Sequence, residues 1–105
     1  MLKVEIHPEA QAELDAAIVW YEQEREGLGL DLLEEVDRAI GKAMRQPDVW
    51  RSYATLANLH RLNVRRFPYC VIYRRQHAMV TVVAVAHQRR KPGYWRSRLG
   101  NSDNQ

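Results

Sequence analysis

The residues best suited to chemistry lie where an apolar stretch of the sequence becomes basic and aromatic. The run VTVVAVAH ends at His87, and Tyr94 and Trp95 follow seven and eight residues later. Histidine is the side chain whose unperturbed pKa suits proton transfer near neutral pH, and the two aromatic rings could stack on nucleic-acid bases. The alternative is structural: His87 would make a hydrogen bond at a strand end, and the rings would pack against the sheet.

Arginines surround these residues and could bind an anionic partner. The planar guanidinium group suits bidentate contacts with phosphate or carboxylate groups. Since these arginines fall on predicted strands or at their ends, the alternation of side chains should place several of them on one face or rim of a sheet. The candidate residues for binding a target or a nucleic acid are Arg61, Arg65, Arg74, Arg89, Arg90 and Arg98.

Charge is divided unevenly between the two halves of the chain. Residues 1–40 hold eleven acidic and three basic residues, a net charge of −8, whereas residues 41–105 hold thirteen basic and two acidic residues, a net charge of +11. No acidic residue occurs between Val49 and Ser102, so we expect a candidate site without a carboxylate. The asymmetry favours a polyanionic partner. The other interpretation is that the acidic half neutralises the basic half within the fold.

The composition argues against several other kinds of site and location. The four histidines lie on separate predicted elements, and HxxxH, CxxC and glycine-rich phosphate loops do not occur, so we predict no metal and no cofactor. The lone Cys70 lies in an apolar run and is expected to be a core residue in a reducing cytoplasm. With no apolar run of about 20 residues and no signal peptide at its start, the chain is expected to be cytoplasmic and to bind no membrane.

Apolar spacing predicts one strand and two helices in the first half. LKVEIH alternates like a half-buried strand, and Pro8 suits the first turn of a helix that runs to about Arg25. The glycines in EGLGL end this helix, and a second helix continues to Pro47. The residues expected on the buried faces are Ala10, Leu14, Ala17, Ile18 and Tyr21 in the first helix and Leu30, Leu33, Val36, Ile40, Ala43 and Met44 in the second.

Three apolar stretches predict strands in the second half, after an irregular segment over 48–57. LHRLNVRR and FPYCVIYRR are separated by almost no loop, and AMVTVVAVAH follows the short turn RQH. Such tight spacing indicates an antiparallel meander, and the nearly continuous apolar content of the last stretch indicates a strand covered on both faces. Beyond Pro92 and Gly93 we expect a short segment of one or two helical turns.

Together these elements predict a single α+β domain. Their order is β-α-α-β-β-β, with a helical hairpin packed on one antiparallel four-stranded sheet. The domain should span residues 1–99, with residues 100–105 as a disordered tail. The sequence does not indicate which edge of the sheet the first strand occupies.

Four stretches of the sequence resemble the RelE/ParE superfamily, the toxins of type II toxin–antitoxin modules. They are HPEAQAELDAAIVWYE, GLGLDLLEEVDRAI, RRFPYCVIYR and VVAVAHQRRKPGYWRSR, and they are distributed along nearly the whole chain, from His7 to Arg98. The succession of FPYx(I/V)xY and AxxHxxRxPxYWxxR is similar to the ParE-like, plasmid-stabilisation branch. The order of predicted elements also resembles that of the superfamily.

The resemblance implies a cytoplasmic growth inhibitor that a small antitoxin silences in a heterodimer or heterotetramer. ParE-like members poison DNA gyrase, whereas RelE-like members cleave mRNA on the ribosome. Gyrase inhibition without chemistry is the first interpretation, a ribosome-dependent mRNA endonuclease is the alternative, and a nucleic-acid-binding module is the third. If the chain is a nuclease, the resemblance assigns catalysis to His87 and Tyr94, with Arg65, Arg74 and Arg89 in supporting positions.

Overall fold

A helical hairpin lies on one face of a five-stranded sheet in the computed structural model, which describes residues 2–52 and 58–99. The predicted α+β class and the hairpin are confirmed. The predicted tail, residues 100–105, lies outside the described residues, and a single domain over 1–99 stays a prediction. The elements are β1 (Lys3–Ile6), α1 (Pro8–Glu24), α2 (Leu28–Arg45), β2 (Arg51–Ser52), β3 (Leu59–Asn63), β4 (Tyr69–Gln76) and β5 (Met79–His87).

The sheet is mixed, with the strand order β1-β5-β4-β3-β2. Strands β3, β4 and β5 form the predicted antiparallel meander. The first strand differs from the prediction because β1 pairs in parallel with β5, with Lys3 opposite Met79 and Ile6 opposite Val82. A parallel pair needs a long crossover connection, and the helical hairpin together with β2–β4 supplies one. Strand β1 therefore occupies the edge next to β5.

A fifth strand forms within the segment that was predicted to be irregular. Strand β2 has two residues, Arg51 and Ser52, which pair antiparallel with Arg61 and His60 of β3. Two residues are too few to show the alternation that identifies a strand in a sequence. The pairing nevertheless places two arginine residues directly opposite each other at the second edge of the sheet.

Helix α1 begins at Pro8, as predicted, and packs on β5. The Nδ1 atom of His7 accepts a hydrogen bond from the backbone N–H of Glu9 at 3.1 Å, which satisfies one of the unpaired donors of the first turn. The predicted buried face is confirmed, with three buried residues and two partly buried ones. They are Ala10, Leu14 and Ala17, and Ile18 and Tyr21.

The turn between the helices determines which face of α2 is buried. Gly29 lies against α1 so closely that a Cβ atom there would come 2.6 Å from the backbone oxygen of Ile18. The carboxylate of Glu22 also accepts the backbone N–H groups of Gly27 and Gly29 at 2.8 and 2.9 Å. This orientation leaves Leu30 57% exposed, so its predicted place on the buried face is wrong. The buried apolar residues of α2 are Leu32, Val36, Ala39 and Ala43.

The C-terminal segment covers the other face of the sheet. Trp95 and Leu99 are only 2% and 7% exposed. This confirms the packing interpretation of Trp95 and the prediction that the last strand is covered on both faces. The buried residues that pack with Trp95 and Leu99 are Leu59, Cys70, Ile72, Val83, Ala84 and Ala86.

A β-bulge in β5 changes the alternation of its side chains. Tyr73 pairs with Val82 while Ile72 pairs with Ala84, so Val83 is an extra residue in the ladder. Consequently Val82 and Val85, three residues apart, both face the helical hairpin. None of the helices in 2–52 or 58–99 is long and apolar enough to cross a membrane.

Candidate functional site

Four of the predicted site residues line one small pocket on the sheet face opposite the hairpin. Strand β3 contributes Arg61, the end of β5 contributes His87, and the C-terminal segment contributes Arg90 and Tyr94. The meander brings β3 and β5 to either side of β4, whose Cys70 also lines the pocket. No acidic residue belongs to the pocket lining within the described part of the chain.

The pocket floor is apolar and unreactive. Cys70 is 5% exposed, as expected for a core residue. Burial raises the pKa of the Cys70 thiol, and the neighbouring Arg61 guanidinium opposes that rise in part. Because the thiolate is the nucleophilic form of cysteine, a raised pKa makes Cys70 unsuitable for nucleophilic chemistry.

His87 is held at the end of β5 by a backbone group and an aromatic ring. Its Nδ1 atom accepts the backbone N–H of Arg89 at 3.0 Å. The ring also meets Tyr69 edge to face, with 5.1 Å between the ring centroids. Since Nδ1 acts as an acceptor, a neutral ring carries its proton on Nε2.

Tyr94 is engaged through both its hydroxyl group and its ring. The hydroxyl donates a hydrogen bond to Glu13 Oε2 at 2.6 Å. Burial raises the pKa of Tyr94 well above its usual range, and the hydrogen bond and negative charge of Glu13 raise it further. The guanidinium carbon of Arg90 lies 3.9 Å from the ring centroid. Tyr94 is therefore protonated at neutral pH, with Arg90 stacked on its ring.

The expectation that the site holds no carboxylate is wrong, because α1 supplies one. Glu13 accepts two hydrogen bonds from Arg98, Nη1 to Oε1 at 3.1 Å and Nη2 to Oε2 at 2.9 Å. The pair is largely buried, since the Arg98 side chain is 8% exposed and that of Glu13 is 17% exposed. The hydrogen bond to Glu13 raises the pKa of Arg98. A long separation in sequence, 85 positions, hides this contact from any reading of local charge.

Glu13 and Arg98 also make hydrogen bonds with the exposed backbone edge of β5. Strand β1 ends opposite Val82, so the rest of β5 pairs on that side with no strand of residues 2–52 or 58–99. Glu13 Oε1 accepts the backbone N–H of Val85 at 3.0 Å, and Arg98 Nη1 donates to the backbone oxygen of Val83 at 3.0 Å. Buried backbone groups need partners, and here side chains from two distant segments provide them.

Glu13 is the main residue of the site that sequence reasoning missed. One signal for it exists: Glu13 stands three residues after Ala10 and four before Ala17, which puts it on the buried side of α1. A carboxylate at such a position needs a partner, because burial of an unpaired charge is costly. The five basic residues that follow β5 on either side of Tyr94 offered that partner.

The remaining predicted residues do not line the pocket. Arg65 lies in the turn after β3 and Arg89 follows β5, and both are exposed. Arg74 is 8% exposed on β4 and lines a separate groove together with Arg98. The functional roles given to these residues stay predictions, as does the absence of a metal site. Among residues 2–52 and 58–99, no group of three His, Cys, Asp or Glu side chains is placed to hold a metal ion.

Comparison with known proteins identifies the family. The family model described as "ParE toxin of type II toxin-antitoxin system, parDE" matches residues 4–92. A solved structure of the chromosomal ParDE toxin–antitoxin system from P. aeruginosa has the same fold, with a TM-score of 0.70 at 16% identity over 83% of this chain and 96% of that chain. No curated protein matches the sequence. The chain belongs to the ParE toxin family of type II toxin–antitoxin systems.

Proposed function

We propose that this toxin stops growth by binding and poisoning DNA gyrase, without catalysing a reaction itself. The observation that carries the proposal is the hydrogen bond from Tyr94 to Glu13 at 2.6 Å, together with the raised pKa of Tyr94. A general acid or base works best with a pKa near the operating pH. Tyr94 is far from that condition, and the Nδ1 atom of His87 is already engaged with Arg89. This arrangement favours a binding surface over a nuclease site.

The exposed arginines around the pocket are the proposed contacts with the target. Arg65, Arg89 and Arg90 are exposed, and Arg61 is half-buried at the pocket wall. Arginine suits such contacts because its planar fork forms bidentate hydrogen bonds with carboxylates and phosphates. Arg98 differs from these four because Glu13 already holds its guanidinium group.

A cognate antitoxin in the cytoplasm is the proposed regulatory partner. The helical hairpin exposes three large apolar side chains, with Val19 at 56%, Trp20 at 55% and Leu30 at 57%. A neutralising antitoxin would cover this surface with an apolar helical segment. We expect a heterodimer or heterotetramer on co-expression with a neighbouring small open reading frame. Separate elution of the two proteins at micromolar concentration would contradict this.

A ribosome-dependent mRNA endonuclease is the second candidate, and one observation favours it. His87, Tyr94, Arg61 and Arg90 line a single pocket, which places two proton-transfer candidates beside two cations that could hold a phosphate. In that case an incoming mRNA would have to displace Glu13 from Tyr94. Under the third interpretation the chain is a nucleic-acid-binding module, and neither gyrase nor ribosome-bound mRNA would be its target.

The test is a reconstituted gyrase reaction with the purified toxin. Gyrase, relaxed plasmid and ATP are incubated with increasing amounts of toxin, and supercoiled and cleaved plasmid are measured. We expect loss of supercoiling and accumulation of cleaved plasmid. An Arg89→Ala/Arg90→Ala variant should need much more protein for the same effect, whereas the matched control Lys3→Ala/Arg25→Ala should not. Unaffected gyrase, together with ribosome-dependent cleavage of mRNA in a translation extract, would favour the endonuclease.

A further inference from the structure

A second groove lined by basic residues lies at the C-terminal end of α2, and of the predicted site residues Arg61 lines it. Lys42 and Arg45 come from the last turn of α2, and Trp50 and Arg51 follow it. Two adjoining depressions share Lys42 and Trp50, and the one beside β3 extends to Arg61. Trp50 fixes the groove wall, since its Nε1 atom donates to the backbone oxygen of Lys42 at 3.3 Å. No acidic residue lines either depression in the described part of the chain.

The strongest sign of an anionic ligand is the cross-strand pair of Arg51 and Arg61. The two residues are directly opposite in the antiparallel pairing of β2 and β3, so their side chains share one face of the sheet. Like charges in this arrangement destabilise a strand pair. Asp48, the nearest acidic residue in sequence, pairs instead with Arg75 at 3.1 Å. A bound anion between Arg51 and Arg61 would remove the repulsion.

Arg61 joins this groove to the pocket described above. It lines both the groove beside Trp50 and the pocket that contains His87. The same pocket is lined by Arg90 and Lys91 of the C-terminal segment. Basic side chains therefore follow one another from the end of α2 to the C-terminal segment. We call this surface the cationic track, and its members are Arg45, Lys42, Arg51, Arg61, Arg90 and Lys91.

We propose that the cationic track binds the phosphate backbone of duplex DNA; the track shares Arg61 and Arg90 with the surface proposed to contact gyrase and extends it to the end of α2. A connected series of cations matches a polymer with regularly spaced phosphates better than it matches a single small anion. Single-stranded nucleic acid is a poorer match, because its binding depends on bases that stack on accessible aromatic rings. Arg90 covers the Tyr94 ring, Trp95 is buried, and Trp50 packs against the core.

The helix dipole explains only part of the track. Lysine and arginine in the last turn of a helix interact favourably with the partial negative charge there, which accounts for Lys42 and Arg45. It does not account for Arg51 and Arg61, which lie on the sheet. Arg51 and Arg61, which the dipole leaves unexplained, are also the two cations that lie directly opposite each other and repel.

The experiment measures binding of the purified full-length toxin to a short fluorescent DNA duplex by anisotropy at several salt concentrations. Each phosphate contact contributes about 0.9 to the slope of log affinity against log salt, and about eightfold in affinity at 0.1 M salt. An Arg45→Gln/Arg51→Gln variant should therefore lose roughly 60-fold in affinity and about 1.8 in slope. Since both residues are exposed, the variant should fold normally. The charge-retaining Arg45→Lys/Arg51→Lys variant should bind like the unchanged protein.

The matched control is Lys3→Gln/Arg25→Gln, which removes the same charge at two exposed positions away from the track. Its salt slope should equal that of the unchanged protein. Equal losses in the two double variants would overturn the proposal, since affinity would then follow net charge alone. Tighter binding to single-stranded DNA or duplex RNA than to duplex DNA would also overturn it. The assay contains no gyrase, so its result does not depend on the proposed target.

Discussion

Glu13 and Arg98 form a bidentate ion pair beside the part of β5 that pairs with no other strand, among the described residues, on the β1 side. The pair joins α1 to the C-terminal segment and bonds the backbone of Val83 and Val85 on the open strand edge. Tyr94 donates to the same carboxylate. One partly buried acidic residue therefore connects the helical layer, the sheet and the wall of the candidate site.

We expect Glu13→Gln to destabilise the protein by about 3 kcal/mol. The substitution leaves the buried Arg98 guanidinium without its counter-charge, and breaking a buried pair in this way is strongly destabilising. The measurement is urea unfolding followed by circular dichroism. Glu9→Gln is the matched control, because Glu9 lies on the same helix 3.7 Å from Arg98 but its side chain is 67% exposed. The control should cost less than about 1 kcal/mol, and equal costs would contradict a special role for Glu13.

The sequence predicted the elements well because their local patterns are strong. Alternation in the meander and the spacing of Ala10, Leu14 and Ala17 both depend on residues close together in the chain. The parallel pairing of β1 with β5 produces no such local pattern. A strand with one buried face shows the same alternation whichever edge of the sheet it occupies. The contact between Glu13 and Arg98 is equally hidden from local patterns.

The orientation of α2 was less predictable for a different reason. Leucine at position 30 fits a helical apolar stripe, yet the close packing of Gly29 on Ile18 turns Leu30 towards solvent. A small residue at a helix contact carries no hydropathy signal of its own. Hydropathy spacing thus identified the helix and most of its buried face but misplaced Leu30. The other predicted residues of that face are buried or pack against the core: Leu33, Val36, Ile40, Ala43 and Met44.

Alanine substitutions at two glycines of α2 should change the stability of the protein in opposite directions. Gly29→Ala would place a Cβ atom 2.6 Å from the backbone oxygen of Ile18, and overpacking of this kind costs about 1–3 kcal/mol. Gly41→Ala meets only the flexible end of Arg45, at 3.3 Å, so higher helix propensity should stabilise the protein by about 0.5–1 kcal/mol. Thermal unfolding of both variants checks the sign, and destabilisation of the same size at both positions would contradict the close packing of the hairpin.

Alkaline pH should destabilise the toxin through its buried tyrosines. Burial raises the pKa of Tyr73 to about 12, and its hydroxyl donates to the backbone oxygen of Pro47 at 2.7 Å. In the unfolded chain the tyrosine side chain ionises near pH 10. The stabilisation that comes from keeping Tyr73 protonated in the fold is therefore complete below about pH 10 and is lost as the pH rises towards 12. The unfolding free energy should fall by about 1.4 kcal/mol per pH unit for each such tyrosine.

The measurement is urea unfolding at several pH values, with the phenolate absorbance followed in the folded protein. Tyr73→Phe is the informative variant, because it removes one titrating group from this window. Its stability should decline less steeply above pH 10 than that of the unchanged protein, although it loses a hydrogen bond at neutral pH. Identical slopes would show that Tyr73 titrates normally in the folded state.

The two mechanisms of toxicity should be distinguishable at His87 and Tyr94. General acid–base groups typically contribute about 10²–10⁴-fold to a rate, so a nuclease should lose nearly all toxicity on His87→Gln or Tyr94→Phe. A gyrase-binding inhibitor should lose at most one hydrogen bond, less than roughly tenfold in affinity. We expect the mild outcome, because Tyr94→Phe keeps the ring on which Arg90 stacks, and Glu13 retains Arg98.

Growth after induction is the readout, with expression checked by blot and folding by antitoxin binding. Complete loss of toxicity in a folded variant, with cleaved mRNA from the unchanged toxin, would establish the nuclease instead.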